Sequence, residues 1–168
     1  VPAGKAKRTF DAKGLVVAPG FIDIHSHSDE LVLEDGHAHS KIRQGVTTEV
    51  LGEGNSAGPR KGELKPRVLK TRGREFTWDT LGGYFDVVDK AGVSVNVASY
   101  VGLDNVWESV MGKSHARPTA KQLDEMKAIL EEAMKDGALG LSTYMMMPPG
   151  SLATTDDLVE LCKVVKKY

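Results

Sequence analysis

Two histidines spaced by one residue, in His25-Ser26-His27, carry the strongest chemical signal in the chain. They follow Phe21-Ile22-Asp23-Ile24, a short apolar run that reads as a buried strand ending at the histidines. Residues two apart in a strand point to the same side, so both imidazoles can converge on one ion. Neutral imidazole nitrogen suits zinc and related divalent metals. A bare His-x-His pair occurs often by chance and is also compatible with two polar residues at a strand end. Glu53 is the second candidate, in Gly52-Glu53-Gly54 after the β-branched run 46–51. In a parallel sheet its strand end shares a rim with the histidines, where a carboxylate can bind one metal or bridge two. Glu49, four residues earlier, would lie deeper or pair elsewhere, and Asp23 can orient a histidine.

Other reactive types read more plainly. His37 and His39 repeat the spacing in a polar stretch and are expected on a solvated face. His115 sits in an expected surface loop, and Asp29 and Glu30 in an acidic turn. Met145-Met146-Met147 can line an apolar pocket or pack a loop. Cys162 is expected to be an inert thiol on the buried side of a helix. Ser142 has no Gly-x-Ser-x-Gly setting, and no phosphate-binding loop is present.

The elements that must position these residues alternate between strand-like and helical patterns. Strands are expected at 21–24, 46–51, 93–102 and 138–143. Helices are expected at 38–44, 80–90, 119–136 and from Thr154 or Thr155 onward. Thr119 with Gln122 has the capping-box pattern, and Gly92 and Gly137 are stops. Residues 55–74, rich in Gly, Pro, Lys and Arg, are expected to form a long loop with at most one helical turn. Four strand–helix units in 168 residues amount to half of a closed eightfold barrel, which needs about 250, or to a small open α/β domain.

Composition bounds the function classes. Lys and Arg total 22 and Asp and Glu 23, a net charge of −1, which argues against nucleic acid or an anionic membrane as partner. No apolar run approaches the roughly 18 residues of a membrane span. One cysteine excludes an internal disulfide, and with no signal-peptide pattern at Val1-Pro2-Ala3-Gly4-Lys5 a cytoplasmic location is expected.

Longer motifs narrow the reading. Val17-Ala18-Pro19-Gly20-Phe21-Ile22-Asp23-Ile24-His25-Ser26-His27 resembles the opening of the amidohydrolase superfamily. Gly45-Val46-Thr47-Thr48-Glu49-Val50-Leu51-Gly52, Asn96-Val97-Ala98-Ser99-Tyr100-Val101-Gly102, Val110-Met111-Gly112, and Gly137-Ala138-Leu139-Gly140-Leu141-Ser142-Thr143 with Pro148-Pro149-Gly150 are similar to segments of the N-acyl-D-amino-acid deacylases, or D-aminoacylases.

The resemblance implies an α/β fold: a (β/α)8 barrel of which residues 19–168 are the first half, with residues 1–18 the tail of a small β-sandwich domain. It implies a zinc centre of one or two ions and hydrolysis of a linear amide of an N-acyl-D-amino acid by metal-activated water. His25 and His27 match the family's paired ligands. Where the family often has Gly-Asn-Cys-Gly, this chain has Gly52-Glu53-Gly54-Asn55, so Glu53 is the nearest replacement for the thiolate. Leu103 stands where many relatives have His, and Met147 where Tyr often precedes Pro-Pro. The family's later histidines, catalytic Asp and substrate-binding groups belong to strands beyond Tyr168. An N-terminal fragment, inactive alone and prone to associate through its open barrel edges, is therefore expected, with the remainder of its own barrel as partner. Two alternatives remain: a dihydroorotase- or hydantoinase-like cyclic-amide hydrolase, and a non-catalytic half-barrel. The first expects a bridging lysine in the fourth strand, and residues 138–143 contain none.

Overall fold

The computed structural model of the chain describes Gly4 and residues 7–168. In chain order its elements begin with β1 (Phe21–Asp23), α1 (Leu31–Glu34), α2 (His39–Ile42), β2 (Val46–Leu51), β3 (Arg67–Thr71), β4 (Arg74–Trp78) and α3 (Leu81–Ala91). They continue with β5 (Asn96–Ser99), β6 (Val101–Gly102), α4 (Leu103–Met111), α5 (Ala120–Lys135), β7 (Leu141–Ser142) and α6 (Thr155–Val165). β1, β2 and β5 form a parallel sheet in that order. After Tyr100 the third strand resumes as β6, which pairs in parallel with β7. The sheet thus advances one strand per helical crossover, the α/β pattern expected from the alternating sequence.

Local chemistry explains the boundaries. The Thr80 hydroxyl accepts the Gly83 N–H at 2.9 Å and starts α3, and Gly92 ends it at φ 71°. Thr119 and Gln122 close a capping box on α5, and Thr154 and Asp157 close another on α6. The core lies between sheet and helices, with Leu51, Tyr84, Val101, Leu103, Trp107, Met126, Leu130 and Leu161 at 1% exposure or less.

Four expectations need correction, and one helix was not expected. Residues 55–74 are not one loop: Arg67–Thr71 pairs with Arg74–Trp78 as an antiparallel hairpin. Arg72 and Gly73, both at positive φ, make the two-residue turn that suits strand twist. Residues 103–111 form α4, whose apolar positions Leu103, Val106, Trp107 and Val110 follow helical spacing. Residues 93–95 precede the third strand, which starts at Asn96. Cys162 is exposed, because α6 buries Leu161 and Val164 and turns the thiol outward. β1 is not buried: Phe21 and Ile22 are each 60% exposed, since no neighbouring strand covers that edge of the sheet. Of the segment 1–18, residues 1–3, 5 and 6 lie outside the described residues, and residues 7–18 contain no strand.

One buried and one part-buried carboxyl give stability opposite pH signatures. Burial pushes the Asp157 pKa up, but Arg117 and the Thr154 cap hold it below its ordinary value of 3.8. Arg117 Nη1 lies 2.7 Å from Asp157 Oδ2. A depressed folded pKa stabilises above the unfolded value, and the gain is lost as pH falls through the folded pKa. Asp104, in the first turn of α4, is pushed up to about 6 by burial and by Glu108, against a hydrogen bond from the Gly150 backbone. A raised carboxyl pKa means that the folded state binds the proton more tightly, so this residue costs stability as pH rises from about 4 to about 6. Arg117→Ala should lower stability at neutral pH, and the loss should shrink only as pH falls below about 4, through the depressed folded pKa of Asp157. Asp104→Asn should gain on the parent between about pH 4 and 6. Thermal melts across pH check both, and parallel curves for parent and Asp104→Asn would contradict the second.

Candidate metal centre

The chain bends at Ile24, and from there the side chains alternate cleanly: His25 and His27 are exposed, while Ser26 is buried. Ser26 donates its backbone N–H to the Val50 carbonyl at 3.0 Å, and the Asp23 carboxylate accepts the His25 N–H at 3.2 Å. Both imidazoles therefore emerge on one side, with Nε2 atoms 3.1 Å apart and ring planes at 63°.

Glu53 reaches the same point from the end of β2. Its carboxylate pairs with His25 Nε2 and lies 3.4 Å from His27 Nε2. The turn that carries it depends on two glycines at positive φ, Gly52 at 88° and Gly54 at 66°. A Cβ at Gly52 would fall 2.3 Å from the Tyr100 carbonyl oxygen, and one at Gly54 would fall 2.5 Å from Tyr144 Cβ. Gly54 donates its N–H to Ser142 Oγ at 3.0 Å, and Ser142 donates to the Gly52 carbonyl. Asn105, wholly buried in α4, accepts the Ser56 N–H at 2.7 Å and donates to the Ser56 and Pro59 carbonyls at 2.8 and 3.1 Å. Ser142 and Asn105 thus hold the Glu53 turn from β7 and α4. Sequence reading gave neither a role, because their partners are backbone atoms 46 to 90 residues away.

Among the described residues, His25, His27 and Glu53 form the single group with ligand atoms close enough for one ion, all within 4.8 Å of one another. A tetrahedron built on zinc–ligand bonds of about 2.0–2.2 Å has edges of about 3.3–3.6 Å; two of the three separations, 3.1 and 3.4 Å, lie close to this, and the third, a direct His25–Glu53 contact, opens by a small side-chain rotation when an ion enters. Two imidazole nitrogens and one carboxylate also match a known catalytic zinc donor set. The residues present therefore fit the ion.

The remaining candidates lie elsewhere. Glu49 is 2% exposed and pairs with Lys41 on the helix side of the sheet. His37 and His39 stack on each other with ring centroids 5.3 Å apart. His115 is exposed after α4, and Met145, Met146 and Met147 are exposed. Leu103 is fully buried at the start of α4. Glu30 binds Arg67, whose Nε lies 2.5 Å from the carboxylate.

A cleft of about 810 Å³ opens beside the group, lined by His27 and Glu53 together with Asp29, Arg60, Trp78 and Tyr144. Burial raises the Asp29 pKa, and its Oδ1 has no hydrogen-bond partner. Arg60 donates Nε–H to the Lys65 carbonyl at 2.9 Å and makes no ion pair among the described residues. No described helix is long and apolar enough to cross a membrane.

Comparison with known proteins identifies the family. A D-aminoacylase of Alcaligenes xylosoxydans xylosoxydans is 36% identical over 161 residues, covering 94% of this chain and 33% of the relative. The N-acyl-D-glutamate deacylase of Bordetella bronchiseptica, solved with zinc and a phosphonate mimic of the tetrahedral intermediate, superposes with a TM-score of 0.85 at 32% identity. That match covers 99% of this chain and 35% of the other. A D-aminoacylase structure describing a binuclear metal centre gives 0.81 at 32% identity, over 99% of this chain and 36% of that one. The chain spans about a third of the length of these relatives. Residues 8–163 match the amidohydrolase family, and with its strand-end histidine pair the chain belongs to that family.

Proposed function

We propose that residues 19–168 are the first half of a (β/α)8 amidohydrolase barrel, that residues 1–18 are the tail of a β-sandwich domain, and that His25, His27 and Glu53 hold a zinc ion at the barrel mouth. The whole enzyme would hydrolyse the linear amide of an N-acyl-D-amino acid in the cytoplasm. The convergence of two Nε2 atoms and one carboxylate within 4.8 Å carries the reading, and the deacylase activities of the similar proteins supply the substrate class.

Bound there, zinc supplies Lewis acidity, which polarises an amide carbonyl and acidifies water. The chain's own residues supply the ligands and part of the pocket. His25 and His27 present neutral nitrogen lone pairs, and Glu53 offsets one positive charge of the ion. Arg60 lines the cleft without a carboxylate partner among the described residues, and a guanidinium there suits the free carboxylate of an N-acyl amino acid. Trp78, its indole N–H bonded to the Ala57 carbonyl at 2.9 Å, gives the cleft a fixed apolar wall. The cyclic-amide alternative lacks its lysine: residues 138–143 have none, and Lys41 is engaged with Asp23 and Glu49 instead. With three ligands and no further base in the group, the 168-residue chain is proposed to bind metal without turning over substrate.

Zinc titration of the chain, followed by competition with a chromophoric chelator, should give about one site, weakened at least about 100-fold by His25→Ala, which removes one of three protein ligands. Assays with N-acetyl-D-methionine, N-acetyl-D-glutamate and dihydroorotate should show no turnover by the chain. Turnover of an N-acyl-D-amino acid that His25→Ala abolishes would overturn the claim that the chain alone is inactive. Zinc binding indifferent to His25→Ala would overturn the site.

A further inference from the structure

Behind the histidine pair, on the sheet face turned toward the helices, four polar side chains meet. Asp23 comes from the end of β1, Ser26 from the bend that follows, Glu49 from β2 and Lys41 from α2. The Lys41 ammonium contacts the Asp23 carboxylate, Glu49 Oε1 at 3.3 Å and Ser26 Oγ at 3.3 Å. Ser28 donates its hydroxyl to the other oxygen of Glu49. Asp23 and Glu49 are register partners on adjacent strands, so without a cation two carboxylates would face each other. Glu49 is 2% exposed, and a buried charge is tolerated only when paired.

The spacing of these contacts matters more than their number. In an unbroken strand residues 23, 25 and 27 share a face, which would turn both imidazoles toward α2. The observed arrangement puts Asp23 and Ser26 on the helix side, three residues apart, and releases His25 and His27 to the other side. The chain therefore shifts phase by one residue at the Ile24 bend, and Lys41 grips the segment on both sides of the shift. Asp23 completes the hold by accepting the His25 N–H.

We infer that Lys41 is a positioning residue for the metal site: its ammonium, bridging Asp23, Ser26 and Glu49, locks the phase shift that aims His25 and His27 at a common ion, and so sets metal affinity. The inference rests on the reading that His25, His27 and Glu53 bind zinc. Lys41 itself lies on the far face and is not a ligand.

The test is zinc affinity, read by chelator competition, beside a thermal melt of each variant. Lys41→Met alone strands the buried Glu49 charge, so the decisive variant is Lys41→Met/Glu49→Gln, which removes both charges and keeps both side-chain lengths. It should melt cooperatively and bind zinc about 10–100-fold more weakly than the parent, the range typical of lost outer contacts to metal ligands. Lys41→Arg, which keeps the cation, should recover part of the loss. Asp23→Asn is isosteric and only part-buried; it should weaken zinc with little change in melting, and it carries the test if the double variant does not fold. A folded double variant, or Asp23→Asn, with parental zinc affinity would overturn the role of Lys41 while leaving the ligand set intact. A parent that binds no zinc, or binds it equally after His25→Ala, would overturn both.

Discussion

The Ser26 N–H donates to the Val50 carbonyl at 3.0 Å, and the relative placing of the proposed ligands depends on this bond. β1 ends at Asp23, yet this contact carries the β1–β2 pairing past the end of the ladder. It ties the histidine-bearing bend to the strand whose next turn carries Glu53. Two imidazoles on one short segment can always approach each other. Bringing a carboxylate from another strand within 3.4 Å requires that the two segments end level. Parallel pairing achieves this because every strand of such a sheet delivers its carboxyl end to the same rim.

Around that constraint the fold divides its labour between two faces. The face turned toward the helices is packed, and its polar groups, Lys41, Glu49, Asp23 and Ser26, satisfy one another. The opposite face is open: Ile22 and Ile24 are 60 and 76% exposed, and both histidines are exposed. A metal site needs rigid backing and an accessible front. The backing here comes from a charge network behind β1 and from Asn105 and Ser142 clamping the Glu53 turn. Steric limits add to it, since Gly52 and Gly54 sit where any Cβ would collide.

Much of this was legible in the sequence. The alternating βα pattern, the capping residues Thr80, Thr119 and Thr154, and the shared strand-end rim of His25, His27 and Glu53 follow from local rules of spacing. What escaped was non-local or masked by charge. The hairpin 67–78 carries Arg67, Lys70, Arg72 and Arg74 and reads as polar loop, although Arg72-Gly73 is a compatible two-residue turn. α4 opens at Gly102 without a side-chain cap, so its apolar spacing had no start signal. Cys162 was placed on the wrong side of α6 because Leu158, Leu161 and Val165 are compatible with more than one helix phase. The pairing of Glu49 with Lys41 and the grip of Asn105 on the Glu53 loop depend on contacts between distant segments, which no periodicity encodes.

The most direct test of the central claim is an anomalous-difference map at the zinc absorption edge from crystals of the zinc-loaded chain. The account predicts one principal peak about 2.0–2.2 Å from His25 Nε2, His27 Nε2 and a Glu53 carboxylate oxygen. A principal peak elsewhere, such as at His37 and His39, or a zinc-loaded crystal in which the His25 and His27 rings point apart, would contradict it.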